Sequence, residues 1–364
     1  MPDEFKNILK VASIYATTII GAGFASGQEI MQFFTAYKTG GFFGVLLAGI
    51  LFSVVGSIVL DKVYSQRIRN YEEFIIPMFG WRLGWIVKTA VIVFIFCMFC
   101  IMIAGSGNVI SHSFGLPIEY SVLIMGFICM LLIMTNIKGI VFLSSIVTPL
   151  LVTGIILSGL YIIIYNEYQV SGFNDLLSNI TNNWFLSSLL YVSYNSILAI
   201  VMMCSMLPYI KTRRTAIAGG VAGGVSLAAA ALVINAVITL FYPAAMEKEL
   251  PVMDILKSFS STAGSLYSVL LWLAMLTSAV ASGYSFADRA GNALKVDKRV
   301  VAVLLCGAAV PLSTLGFSRL IALIYPAFGY LGLFMIIVIL ASSLARPTGS
   351  VHAGGQQSKR KTDR

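Results

Sequence analysis

Ile20-Gly21-Ala22-Gly23-Phe24-Ala25-Ser26-Gly27-Gln28-Glu29 interrupts the first long apolar segment of the chain. Each glycine costs about 0.8 to 1.0 kcal/mol relative to alanine in a helix interior. A backbone freed from its ladder at membrane depth is tolerated only where it is buried in protein or lines a wet cavity. The stretch therefore reads as a break in a spanning helix and as a binding site. The half-helix that restarts near Ser26 can turn its positive end to an anionic group, and unpaired carbonyls before the break can face a cation. That is the chemistry of a transporter.

The surrounding chain supports a membrane setting. Of 364 residues, 58% are hydrophobic and only 11% charged, with a mean hydropathy of +0.91, far from an ordinary soluble domain. Apolar runs of about 20 residues recur throughout. The first carries Gly and Glu and lacks a small-residue cleavage site, so it does not read as a removable signal peptide. The expectation is an all-α integral membrane protein with ten transmembrane helices at 8–37, 40–60, 84–110, 117–136, 139–165, 184–209, 215–242, 262–287, 299–317 and 320–345. With the N-terminus inside, only Lys38, Lys248, Lys257 and Arg319 fall outside, leaving 20 of the 24 Lys and Arg in cytoplasmic segments. Both termini are expected in the cytoplasm of a cell with this chain in its inner (plasma) membrane. The net charge of +9 is thus topological and needs no nucleic-acid partner. Cys97, Cys100, Cys129, Cys204 and Cys306 all lie in apolar runs and read as free, buried thiols.

Two connections are longer than a tight turn. Residues 61–83, with Tyr64, Tyr71, Phe74 and Trp81 among charges and Trp85 just beyond, predict an amphipathic interfacial segment inside. Residues 243–261, with Met253, Ile255, Leu256 and Phe259, predict a matching one outside. Their equivalent places on opposite faces point to five spans repeated with inverted topology. That divides the chain into a first repeat at 1–165, an extracellular connecting loop at 166–183, a second repeat at 184–345 and a disordered cytoplasmic tail at 346–364.

An inverted repeat predicts discontinuous helices 1 and 6. In span six the cluster Ser193-Tyr194-Asn195-Ser196 offers hydroxyls and an amide that compete with the helix ladder. The alternative is an intact helix whose polar side chains bond to neighbours. In span eight, Ala274, Thr277 and Ser278 stand at i, i+3 and i+4, so a carbonyl and two hydroxyls share a face. With two carbonyls from the span-one break they would make a five-oxygen cage for a hard monovalent cation. Hydroxyls bonded back to their own helix are the competing reading.

These stretches resemble the amino acid-polyamine-organocation superfamily, whose five-plus-five inverted repeat is shared with neurotransmitter:sodium symporters, and most closely the bacterial YkvI-type amino acid permeases. Ile20-Gly21-Ala22-Gly23 looks like that family's span-one break, whose amides bind a substrate carboxylate. Gly40-Gly41-Phe42-Phe43 looks like the opening of its second span. Ala274-Met275-Leu276-Thr277-Ser278, followed by Leu294-Lys295-Val296 and Lys298-Arg299, is similar to its sodium segment and the basic loop behind it. The resemblance implies sodium ligands in the carbonyls of Thr17, Ile20 and Ala274 and the hydroxyls of Thr277 and Ser278. The chain departs from the pattern at Phe24, where many sodium symporters carry Asn, so a second sodium touching substrate is not implied. Span three has no tyrosine to close over a carboxylate. Span five has no Lys or Arg, the residue type that replaces the ion in sodium-independent relatives.

Glu29 is costly at membrane depth and functional by default. It would bind a substrate amino group, carry a coupling proton, gate a wet extracellular vestibule, or simply be solvated near the helix end. Gln28, Gln32, Asn108 and Asn235 are candidates for interhelical hydrogen bonds first and for substrate contacts second. His112 and His352 lie in a loop and the tail, and a nucleophile with a base or a metal cluster is lacking at membrane depth, so an enzyme is not expected. The expected function is sodium-coupled symport of an amino acid or related small amine-containing solute. Substrate would sit among Gly21, Ala22, Gly23, Phe24, Ser26, Gly27, Glu29, Ser193, Tyr194, Asn195 and Ser196. No cofactor beyond the sodium ion and no obligate protein partner is expected; the partners are the solute and the bilayer. A proton-coupled transporter or exchanger using Glu29 is the runner-up, and a non-transporting membrane sensor or scaffold is the reading of another class.

Overall fold

A computed structural model describes residues 2–134, 138–165, 183–242 and 244–344. The connecting loop at 166–183, but for Asn183, and the tail at 346–364 with His352 lie outside the described residues. Every regular element among the described residues is helical. The first span is split into α1 (Pro2–Ile19), α2 (Ala22–Ser26) and α3 (Gln28–Phe33). There follow α4 (Thr39–Gln66), α5 (Tyr71–Phe114), α6 (Ile118–Met134) and α7 (Lys138–Tyr165). The second half holds α8 (Trp184–Cys204), α9 (Arg213–Leu240), α10 (Pro251–Phe259), α11 (Ser261–Leu294), α12 (Lys298–Ser313) and α13 (Phe317–Leu344).

Six of these, α4, α5, α8, α9, α11 and α13, are long and apolar enough to cross a membrane. Their outward faces carry large apolar side chains such as Leu46, Ile50, Ile86, Val225, Leu266 and Leu323, which lipid rather than water would solvate. Both of the longer connections contain helix. Tyr71–Phe79 forms a first leg of α5, bent away from the rest at Gly80 (φ 70°). Between the seventh and eighth spans, α10 is a separate amphipathic helix with Pro251, Val252, Met253, Ile255 and Leu256 buried.

Chain direction can be read from helix contacts. Along α4 and α9, Gly49 faces Ala228, Ser53 faces Gly224 and Ser57 faces Gly220. One number falls as the other rises, so the two helices run antiparallel. Arg213 closes the end of this seam on Asp61 with two bonds of 2.8 and 3.0 Å. On α1, Val11 lies against Gly219 and Tyr15 against Gly223, so α1 and α9 run parallel. Phe99 against Gly283 and Gly105 against Met275 make α5 and α11 antiparallel. Leu190 against Gly329 and Ser193 against Gly332 make α8 and α13 parallel. Second against seventh and third against eighth are the antiparallel pairs that an inverted five-helix repeat requires.

One expectation is corrected. Helix 6 is not discontinuous at Ser193-Tyr194-Asn195-Ser196, because α8 runs unbroken from Trp184 to Cys204. Ser193 Oγ donates to the Leu189 carbonyl at 2.5 Å, Asn195 Nδ2 to Tyr191 at 3.0 Å and Ser196 Oγ to Val192 at 2.7 Å. The polar groups satisfy themselves on their own ladder, and without a glycine nothing forces the backbone open. The irregular stretch comes later, at Ser205–Met206 and the 3-10 turn Leu207–Tyr209.

The α4–α9 seam depends on small residues that let two backbones approach. A Cβ at Gly220 would collide with the Ser57 amide. We expect Gly220→Val to destabilise the detergent-purified protein by about 1–3 kcal/mol or more, read as a lower melting temperature. Gly307→Ala, inside α12 where a Cβ meets nothing within 4 Å, should leave it unchanged or raise it.

Candidate functional site

The span-one break is made by two separate departures from the helix. At the first, the Gly21 N–H, which a continuing helix would send to Thr17, turns to Ile19 at 2.8 Å, while Ile20 still donates to Ala16. The Thr17 carbonyl is thereby left without its helical donor. The first bond of α2 runs from Ala25 to Gly21, so the amides of Ala22, Gly23 and Phe24 are the orphan donors of a helix start. At the second, Gly27 takes φ +83° between α2 and α3, a conformation that glycine adopts without steric cost. A Cβ there would meet Val252, Ile238 and Pro251 at 2.7, 2.9 and 3.3 Å. The amphipathic α10 is therefore seated on the second bend and covers it.

Glu29 is the centre of this region. It is 5% exposed, which removes the reading that it is simply solvated, and equally an open vestibule around it in this conformation. Its Oε2 accepts a hydrogen bond from Tyr194 Oη at 2.7 Å. Its carboxyl group folds back against Gly23, where a Cβ would collide with Oε1 and come within 3.0 Å of Cδ. Glycine at this position is what lets the carboxyl group lie against α2. No salt bridge to Glu29 exists among the described residues.

Aromatic rings enclose the other side. Tyr194 stacks on Tyr325 at 4.3 Å between centroids, with Tyr191 at 5.6 Å and Phe33 at 5.5 Å from the same ring. The Tyr191 hydroxyl is buried and lacks a hydrogen-bond partner among the described residues, and the buried Tyr325 hydroxyl faces Glu29. Tyr191, Tyr325 and Phe33 were not among the expected site residues. Tyr191 stands three residues before Tyr194, and Tyr325 precedes Pro326 in a span; both were readable as polar tips at membrane depth.

The remaining expected residues fall as follows. Phe24 is buried beside Phe34, Phe52 and Tyr191. Ser26 Oγ donates to the Gly23 carbonyl at 2.8 Å, within α2. Ser193, Asn195 and Ser196 bond along α8, so of that cluster only Tyr194 reaches Glu29 through a hydrogen bond. Gln32 Nε2 donates to Ser318 at 2.9 Å and Asn235 Oδ1 accepts from Thr35 at 2.8 Å, both between helices as expected. Gln28 is buried with Oε1 unpartnered.

On α11, Tyr267 Oη donates to the Ala25 carbonyl at 2.7 Å, which fixes one face of that helix against α2. Ala274 is seven residues on and Ser278 eleven, two and three turns along the same face. Thr277 is buried and its Oγ1 donates to the Ala274 carbonyl at 3.0 Å, so its proton is used within the helix while its lone pairs are not. The Ser278 hydroxyl makes no hydrogen bond to described residues. Thr17 Oγ1 bonds back to Ser13 at 2.7 Å, leaving the Thr17 carbonyl as the available oxygen.

No known protein-family profile matches the chain. Among curated proteins it is similar to the uncharacterized membrane protein YkvI of Bacillus subtilis (strain 168), 25% identical over 346 residues that cover 93% of this chain and 96% of that one. It is also similar to the uncharacterized protein YyaD of the same organism, 26% identical over 325 residues, 89% and 93% of the two chains. Among solved structures it is similar to the Eremococcus coleocola manganese transporter in complex with an aromatic bis-isothiourea substituted compound. There the TM-score is 0.55 at 14% identity, covering 92% of this chain and 76% of that one. A mutant of that transporter aligns with a TM-score of 0.54 at 15% identity. These likenesses establish an all-helical, multi-span membrane fold shared with a solved transporter.

The contact of Glu29 with Gly23 is testable without any ligand. Gly23→Ala should lower the melting temperature, and adding Glu29→Ala should recover part of the loss. The coupling expected for residues in contact is about 0.5–3 kcal/mol; additive effects in the double-mutant cycle would show that the two do not touch.

Proposed function

We propose that the chain is a secondary active transporter that takes up an amino acid or related small amine-containing solute by sodium symport through alternating access. The observation that carries this reading is Glu29, a buried carboxyl group without a salt bridge, held between a glycine break and a wall of tyrosines. A carboxylate so placed attracts an ammonium group, and aromatic faces add cation–π attraction. Of the two solute classes, one that presents a cationic amine fits better. A solute carboxylate at the amides of Ala22 to Phe24 would lie beside Glu29 and be repelled.

Sodium is the coupling ion in this reading. Its ligands would be the carbonyls of Thr17, Ile20 and Ala274 and the hydroxyls of Thr277 and Ser278, hard uncharged donors suited to a monovalent cation, with the Ala274 carbonyl shared with the Thr277 hydroxyl. Spans one and two of the half at 1–165 and spans six and seven of the half at 184–345 would rock together against the remaining spans. An ion bridging the first and eighth spans would tie the moving group to the rest and favour the outward-open arrangement. Manganese, the cargo named for the structural relative, is less well served. Among the described residues no group of three His, Cys, Asp or Glu side chains could hold a metal ion.

A proton-coupled or exchange mechanism is the second reading, favoured by the same lack of a salt bridge at Glu29. Uptake of labelled amines into proteoliposomes separates the two. Sodium symport predicts that Thr277→Ala and Ser278→Ala each cut sodium-stimulated uptake about tenfold or more, as loss of about 1.4 kcal/mol of ion binding would, with Glu29→Gln weakening solute affinity. A proton mechanism predicts that Glu29→Gln abolishes uptake driven by a pH gradient while both hydroxyl variants remain active.

A further inference from the structure

Away from the break, a cavity of about 570 Å³ opens where the chain leaving α4 meets the chain leaving α8. Arg67, Arg69 and Lys211 line it, with Ser205, Pro208 and Ile210. This is the face that carries the N-terminus and most Lys and Arg, assigned to the cytoplasm by their distribution. None of the three cations is in a salt bridge among the described residues. Arg67 instead stacks on Tyr64 at 5.1 Å. Glu73, four residues after Arg69, has both carboxylate oxygens in hydrogen bonds: Oε2 accepts the Arg69 N–H at 2.8 Å and Oε1 the Asn70 side-chain amide at 2.8 Å.

Arg67 also occupies a backbone conformation that a side chain disfavours. It closes α4 at φ 56°, ψ 36°, the left-handed position where helices ordinarily place glycine. A non-glycine residue held there points to a use for its side chain.

We infer that this cavity binds a phosphoryl anion, supplied by the headgroup of an anionic phospholipid of the adjoining leaflet or by free phosphate. Three cations outside any salt bridge among the described residues line it, two of them arginines, whose guanidinium groups match phosphate oxygens in pairs. The buried Ile210 side chain gives the floor an apolar part, and basic pockets between helices at the cytoplasmic membrane surface suit lipid headgroups.

The test measures the melting temperature of the full chain in neutral detergent with phosphatidylglycerol, with phosphatidylcholine and with inorganic phosphate. Wild type should be raised by phosphatidylglycerol and not by phosphatidylcholine, since a ligand of the folded state stabilises by mass action. The shift should fall by half or more in Arg67→Gln/Lys211→Gln and remain in Arg82→Gln, a cation of the same face outside the cavity. An equal shift with inorganic phosphate, lost in the same variant, would support the site and identify its source as soluble. Arg67→Gly guards against simple misfolding. Without lipid it should melt at or above wild type, since glycine suits that conformation, yet lose the shift. A shift from neither anion, one untouched by the cavity substitutions, or one lost equally in Arg82→Gln would overturn the inference.

Discussion

The backbone of the first span, released from its ladder at Gly21 and again at Gly27, is the constraint on which the rest depends. Polar backbone exposed to lipid is prohibitively costly, so the protein has to enclose it. The α10 helix seats Val252 and Pro251 on the Gly27 bend. Tyr267 ties α11 to the Ala25 carbonyl. Gln32 and Glu249 meet at Ser318, tying α3 and the segment before α10 to the start of α13. What remains unsatisfied after this enclosure is a small set of inward-facing oxygens and amides, and that set is the candidate site.

Enclosure also explains why Glu29 is tolerated. Its carboxyl group would have no room if Gly23 carried a side chain, and it would lack a donor without Tyr194. The glycine that weakens the helix and the acid that could bind solute are therefore one local arrangement, separated by six residues of sequence and joined by a bend. The small-residue seam of α4 and α9 serves it at a distance. It brings the second and seventh spans into backbone contact.

Much of this was legible in the sequence because glycine and charge are loud in a lipid-soluble chain. The break at Gly21 to Gly27 and the two amphipathic connections followed from physical costs that admit few solutions. The relation of spans two and seven followed from layout and is seen in the Gly49–Ala228 and Ser57–Gly220 pairings. Span six was misread because serine and asparagine can either break a helix or bond to it, and sequence spacing does not decide between the two. Tyr191 and Tyr325 were missed for a related reason. A tyrosine in a span looks like core until the fold shows which one faces an acid.

The most direct measurement is the thermal stability of the purified protein across amines and amino acids, each in sodium and in potassium at equal ionic strength. The account predicts a rise that requires an amine-bearing ligand and sodium together, because each would bind only the assembled break. A rise that ignores sodium and follows pH would contradict the coupling ion, and stability unmoved by every ligand in either salt would contradict the site itself.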